Sequence, residues 1–251
     1  MRIRIKAISD KGCVRENNED MVLVGKKVLR DDRLQSFLEI GEEGSIFMMA
    51  VADGMGGANA GEVASQIVLE SLKDGINRLP LGLDGAALKN WINSLCKAIH
   101  QEIVQEGIND PEKRGMGTTL AGLLYYEGCL LAINAGDSRI YRFRNGTLRQ
   151  ISRDHSLREL SGNRDAPGNV IVNSFGGGNA FYVDVEPAGN KVLDGDVFLL
   201  CSDGVSDMLS DEEIEDILAE DGSEDALLEA AKNRGGEDNI SYVMSKVSIG
   251  G

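Results

Sequence analysis

Phe47-Met48-Met49-Ala50-Val51-Ala52-Asp53-Gly54-Met55-Gly56-Gly57 joins six apolar residues to an acid and then to three glycines within four positions. A short apolar run closed by glycine reads as a buried strand. It delivers Asp53 to the strand's end, where the chain must turn. Glycines there allow positive φ and let the main chain approach a ligand closely. An amphipathic helix is predicted next, over Gly61–Leu72, with Ala64, Ile67, Val68, Ser71 and Leu72 on one face.

Taken alone, Asp-Gly is a common turn dipeptide. Two partners elsewhere change the reading. The apolar run Val197–Cys201 ends in Ser202-Asp203-Gly204, and Asp238 opens the apolar segment at Ile240. Three acids at the ends of expected central strands are hard to explain by packing.

Composition narrows the classes. The 251 residues suffice for one large domain, 1–251, with a substantial core. A net charge of −15 argues against sequence-independent nucleic-acid binding and against anionic membranes. No apolar run approaches the roughly 20 residues that span a bilayer. Cys13, Cys96, Cys129 and Cys201 lack C-x-x-C spacing, so we expect a reducing, cytoplasmic setting with Cys129 and Cys201 buried.

In chain order, residues 1–9 and Met21–Val24 read as strands, and Asp31–Gly44 as a polar loop or short helix. A second helix is expected near Ala86–Gln105, with Leu88, Trp91, Ile92, Leu95, Ile99 and Ile103 as its buried stripe. Leu120–Tyr126, Cys129–Asn134, Ile140–Arg144 and Thr147–Ile151 read as a meander. Residues 153–179 are polar and Gly/Asn-rich, and read as a flap over the site. Ala180–Val185 and Val197–Cys201 return to strand. Ser210-Asp211-Glu212-Glu213 is a capping box for a helix Glu212–Leu218. Asp225–Asn233 is another helix and Ile240–Val247 the last strand. Strands in runs and helices in pairs point to an α+β layered domain of antiparallel sheets flanked by helices.

Carboxylates and carbonyls without His or Cys make a hard-oxygen site, which suits Mg²⁺ or Mn²⁺ better than zinc. A shared acid such as Asp53 can bridge two cations about 3.5–4 Å apart, the spacing of two-metal hydrolases. The fitting substrate is an anionic ester such as a phosphate, and Arg15 supplies a guanidinium fork for its oxygens. No cysteine has an arginine six residues on, Asp194-Gly195-Asp196 reads as a turn, and no Walker loop occurs.

These residues resemble the metal-dependent serine/threonine protein phosphatases of type 2C (the PPM type), in the bacterial branch, over essentially the whole chain. The motifs are Gly12-x-x-Arg15-x-x-Asn18-Glu19-Asp20, Asp53-Gly54-Met55-Gly56-Gly57, Gly117-Thr118-Thr119, Asn134 to Arg139, Ser202-Asp203-Gly204 with Asp207, and Gly236-x-Asp238-Asn239. The resemblance implies a four-layer α-β-β-α domain, a central antiparallel β-sandwich between helix pairs with metals at one end. It implies that Asp53 bridges two ions, that the Gly54 carbonyl ligates one, and that Asp203 and Asp238 complete a shell. Glu19 and Asp20 would orient water, and Arg15 would hold phosphate. Asp137, with Asp203 and Asp207, matches a third, weaker metal position. Residues 155–178 correspond to the family's flap.

The implied activity is hydrolysis of phosphoserine and phosphothreonine in proteins, without a phosphoenzyme, by a monomer whose partners include a Ser/Thr kinase. The rivals are a non-catalytic phosphoprotein-interaction domain and a hydrolase of small phosphoesters. Met55 stands where some relatives carry a proton-donating His. His155 reads as a solvated loop histidine, and Thr119 as a partner of either a metal water or a strand neighbour.

Overall fold

A computed structural model gives the fold and describes residues 1–39, 45–56, 60–163, 166–167, 170–177, 181–189, 191–220 and 225–249. The strands are β1 (Arg2–Asp10), β2 (Met21–Val24), β3 (Lys27–Leu29), β4 (Asp32–Glu39), β5 (Ile46–Ala52), β6 (Gly54–Met55), β7 (Gly117–Thr118), β8 (Leu120–Tyr126), β9 (Cys129–Ala135), β10 (Arg139–Arg144), β11 (Thr147–Gln150), β12 (Asp184–Pro187), β13 (Val197–Cys201) and β14 (Ile240–Ser248). The helices are α1 (Gly61–Ile76), α2 (Gly85–Asn109), α3 (Leu157–Ser161), α4 (Asp203–Ser206), α5 (Asp211–Ala219) and α6 (Ala226–Asn233).

Two six-stranded antiparallel sheets face each other, ordered β11-β10-β13-β14-β1-β4 and β12-β9-β8-β5-β2-β3. Three cores make this a four-layer stack. Between the sheets lie Ile5, Val51, Leu123, Leu200 and Val243. Outside the second sheet, Ala50 and Leu124 pack on Val68 and Leu72 of α1 and Ile92 and Ile99 of α2. Outside the first, Leu199 and Tyr242 pack on Ile214 of α5 and Leu227 of α6. Central strands are therefore buried on both faces. That is why β5 reads as an unbroken apolar run: Met48, Ala50 and Ala52 face one core, Met49 and Val51 the other.

Several expectations need correction. Asp31–Gly44 is no loop or helix: β4 runs along β1 in register from Ser9↔Asp32 to Arg2↔Glu39, and 40–44 lie outside the described residues. As an edge strand, β4 turns only Leu34, Ser36 and Leu38 inward, so its alternation hides in a polar composition. The expected meander divides into two hairpins. The β8–β9 pair belongs to one sheet and β10–β11 to the other, because Gly136-Asp137-Ser138 carries the chain across the sandwich. Strand pairing after the flap starts only at Asp184, since the Tyr182 main chain is taken by the Asn173 side chain; Ala180 lies outside the described residues.

Cys129 is exposed beside the β8–β9 turn, whereas Cys201 is buried. On α1 the buried face includes Leu69, with Ile67 and Ser71 only half-buried; on α2 it includes Cys96. The capping box of α5 forms as expected. In the flap, α3 is capped by Ser156, and Phe175 is fully buried in the helix-side core, a contribution of about 1.5–3 kcal/mol. Among the described residues no helix is long and apolar enough to cross a membrane.

Candidate metal centre

Asp53 leaves β5 at one end of the sandwich and is held by its own backbone. Its N–H donates to the Thr119 hydroxyl (3.0 Å), and its carbonyl accepts from Thr119 N (2.9 Å) and the Thr118 hydroxyl (2.9 Å). Thr119 thus grips the main chain of a neighbouring strand end. Gly54 pairs with Thr118 in the short β6–β7 ladder. A Cβ on Gly54 would lie 2.4 Å from the Gly61 carbonyl and 2.5 Å from that of Glu19, so only glycine lets strand, helix and loop meet there.

The polar loop after β1 is anchored by Asn239. Its amide oxygen accepts from Glu19 N (2.8 Å), and its nitrogen donates to the carbonyls of Lys11 (3.0 Å) and Asn17 (2.9 Å). The Ser65 hydroxyl of α1 donates to the Glu19 carbonyl at 2.6 Å. Gly12 adopts φ +79°, and a Cβ there would fall 2.1 Å from the Asp238 carbonyl. The loop can reach the site only with glycine at this position.

These constraints bring acids from separate segments together. The Asp53 and Asp203 carboxyls lie close to one another. Burial, then repulsion from Asp203 and Asp20, holds the Asp53 carboxyl well above the usual range. Burial also drives Asp20 well above it; the nearby Ser202 and Ser241 hydroxyls oppose this, yet Asp20 Oδ2 and Ser241 Oγ have no hydrogen-bond partner. Asp203 is pushed up to about 6 by burial, with the neighbouring Asp53 carboxyl and Arg15 opposing and Asp238 adding to the rise. Asp137 is pushed up to about 7 by burial and Asp203, and its Oδ1 also lacks a partner.

Arg15 is half exposed and donates to Asp238 at 2.6 Å. Glu19 is raised by burial and by Glu62, with Arg15 and the Gly61 N–H opposing. Asp207 follows α4 and is raised by burial, with the nearby Arg139 lowering it; Arg139 itself clasps Asp154 at 2.8 Å. The structure therefore gathers Asp20, Asp53, Asp137, Asp203 and Asp238 with Glu19 and Arg15, and sets Asp207 toward the Arg139–Asp154 pair. Gly57 lies outside the described residues.

Among the described residues no three acids stand close enough to complete a metal shell by themselves. The group nevertheless fits hard divalent cations. Its donors are all oxygen, its carboxylates repel one another, and two buried carboxylate oxygens have no partner. Mg²⁺-like ions keep several waters and need only a few carboxylates.

Two features escaped the sequence reading. His155 is no solvated loop residue but is fully buried. Glu62, the second residue of α1, turns a buried, unpartnered oxygen toward this region. An acid in a helix's first turn is ordinary, so its signal was masked.

The family profile described as "Protein phosphatase 2C" matches residues 24–228. Serine/threonine protein phosphatase PstP of Mycobacterium tuberculosis is 34% identical over 260 residues, covering 98% of this chain and 45% of the relative. The chain thus spans less than half of that relative's length. Protein phosphatase PhpP of Streptococcus pneumoniae is 31% identical over 258 residues and is covered, like this chain, to 96%. Among solved structures, the catalytic domain of PstP in complex with 2 manganese ions superposes with a TM-score of 0.78 at 33% identity, over 99% of each chain. A Streptococcus agalactiae serine/threonine phosphatase shares the fold with a TM-score of 0.81. The chain therefore belongs to the protein phosphatase 2C family of serine/threonine protein phosphatases.

Proposed function

We propose that the protein hydrolyses phosphoserine and phosphothreonine in phosphoproteins with Mn²⁺ or Mg²⁺ and without a phosphoenzyme. One observation carries this reading. Buried acids from sequence-distant segments converge with partnerless oxygens, an arrangement that protons or cations must neutralise. The two manganese ions of the PstP relative support a pair here.

Asp53 and Asp203, with Asp238 and the Gly54 carbonyl, would hold the pair, and Asp137 with Asp203 and Asp207 a third, weaker ion. When bound, such cations make a water nucleophilic near neutral pH and offset charge on the phosphoryl group. Glu19 and the buried Asp20 orient water at the site. Arg15 releases Asp238 and turns its fork to the phosphate oxygens. Met55 has no proton to give, so the leaving serine or threonine oxygen takes its proton from water. The phosphorylated partners would include a Ser/Thr kinase. Four unpaired cysteines favour a reducing compartment.

The test is hydrolysis of phosphoserine, phosphothreonine and phosphotyrosine peptides and of a small aryl phosphate, with Mn²⁺ or chelator. Turnover of the first two with Mn²⁺ only is expected. Binding without turnover would favour an interaction domain, and activity confined to the small ester a different hydrolase.

A further inference from the structure

His155 lies where the chain leaves the first sheet for the flap, and it is 1% exposed. Its Nδ1 faces two donors, the Gly136 N–H (3.2 Å) and the Asn173 side-chain nitrogen (2.7 Å). A backbone N–H can only donate, so Nδ1 is the bare nitrogen. Nε2 then carries the hydrogen and donates to Asp184 Oδ2 at 3.1 Å. The Asn173 orientation follows likewise, because its amide oxygen accepts from Tyr182 N (3.3 Å) while its nitrogen also donates to the Tyr182 carbonyl (2.9 Å). The main chain adds two bonds, His155 N to the Gly136 carbonyl and Val172 N to the His155 carbonyl, both 2.9 Å.

One ring therefore ties three segments: the β9–β10 crossover at Gly136, the far limb of the flap at Asn173, and the start of β12 at Asp184. Gly136 has little freedom of its own. It holds φ +111°, and a Cβ there would sit 2.6 Å from the Thr119 side chain. The next residue is Asp137, whose Oδ1 is buried without a partner among the acids. Both polar atoms of the Gly136 main chain are bonded, the N–H by the His155 ring and the carbonyl by the His155 N–H and the Asn134 side chain, so the ring holds the residue directly ahead of Asp137.

We propose that His155 is a positioning residue for the ion-binding acids, holding Asp137 in place and coupling it to the flap without touching substrate. This rests on the reading that Asp137 helps to hold a cation. The role requires an acceptor at the Nδ1 position, which asparagine can supply. Glutamine reaches instead toward Asp184, and alanine offers neither bond.

The test is calorimetric Mn²⁺ titration of the full chain as wild type, His155→Asn, His155→Gln and His155→Ala, with thermal melts and Mn²⁺-activation curves on a phosphothreonine peptide. We expect the Gln and Ala variants to bind the weakest ion about 10–100-fold less tightly, as when a residue supporting a metal ligand is lost. The Asn variant should recover most of that affinity. The peptide KM at saturating Mn²⁺ should stay unchanged in all of them. Wild-type affinity in all three folded variants would overturn the proposal, as would an Asn variant no better than Ala. Failure of the Asn variant to fold would also contradict it, since that variant retains the required acceptor. Wild type that binds Mn²⁺ but hydrolyses no phosphopeptide would remove the proposed activity and leave this role standing. Absence of any Mn²⁺ binding would remove both.

Discussion

The Asp53 N–H donates to the Thr119 hydroxyl at 3.0 Å, and the same hydroxyl lies 2.7 Å from that of Ser138, beside Asp137. A single fully buried threonine thus joins the strand end that presents one acid to the crossover that presents another. Thr119→Val keeps the shape and removes the hydroxyl. It should cost about 1–3 kcal/mol by stranding a buried N–H, and should weaken Mn²⁺ binding. Thr119→Ser should retain most of both. Equal melting temperatures for Val and wild type would contradict the link.

The raised acids give a pH dependence of definite sign. Asp203 and Asp137 keep their protons to about pH 6 and 7 in the fold, against 3.8 ordinarily. Between these limits the native state binds more protons than the unfolded chain, so stability falls as pH rises. Melting of the chelated protein should therefore drop from pH 5 to 7.5, and Asp137→Asn should flatten the drop above pH 6. Mn²⁺ should raise the melting temperature more at pH 7.5 than at pH 5. A slope identical in wild type and Asp137→Asn would count against this account.

Arg15 is paired with Asp238 at 2.6 Å and half exposed, ready to exchange one anion for another. Arg15→Ala should raise the phosphopeptide KM about tenfold or more with a smaller change in kcat, the pattern of lost binding. Arg15→Lys should rescue only partly, because an ammonium cannot form the fork. Unchanged KM and kcat would exclude phosphate contact.

Asn239 makes three hydrogen bonds to the loop bearing Arg15, Glu19 and Asp20. Asn239→Asp replaces the donating nitrogen with an oxygen that faces the two carbonyls. It should destabilise the fold by about 1–3 kcal/mol and lower activity, read by denaturant melts and initial rates. A silent substitution would show that the loop is held elsewhere.

How far the sequence could be read depended on where each interaction partner lay. Asp53 and Asp203 were legible because both follow strands buried on two faces, whose unbroken apolar runs end in Asp-Gly. The helices were legible from their stripes. β4 was not, because an edge strand buries one side and Leu34, Ser36 and Leu38 are a faint alternation. The burial of His155 was invisible for another reason: Gly136, Asn173 and Asp184 enclose it from segments on either side, and no local pattern signals that. The same holds for Asp20, which sits in a polar loop yet is sealed beneath it.

The central claim, that these acids converge in order to hold divalent ions, is tested most directly by calorimetric titration of wild type and Asp53→Asn with Mn²⁺. Wild type should bind at least two ions. Asp53→Asn should lose most of that affinity while melting no lower than wild type in chelator, because one of the mutually repelling carboxyls has been removed. Wild type that takes up no Mn²⁺, or Asp53→Asn that binds it equally well, would contradict the claim.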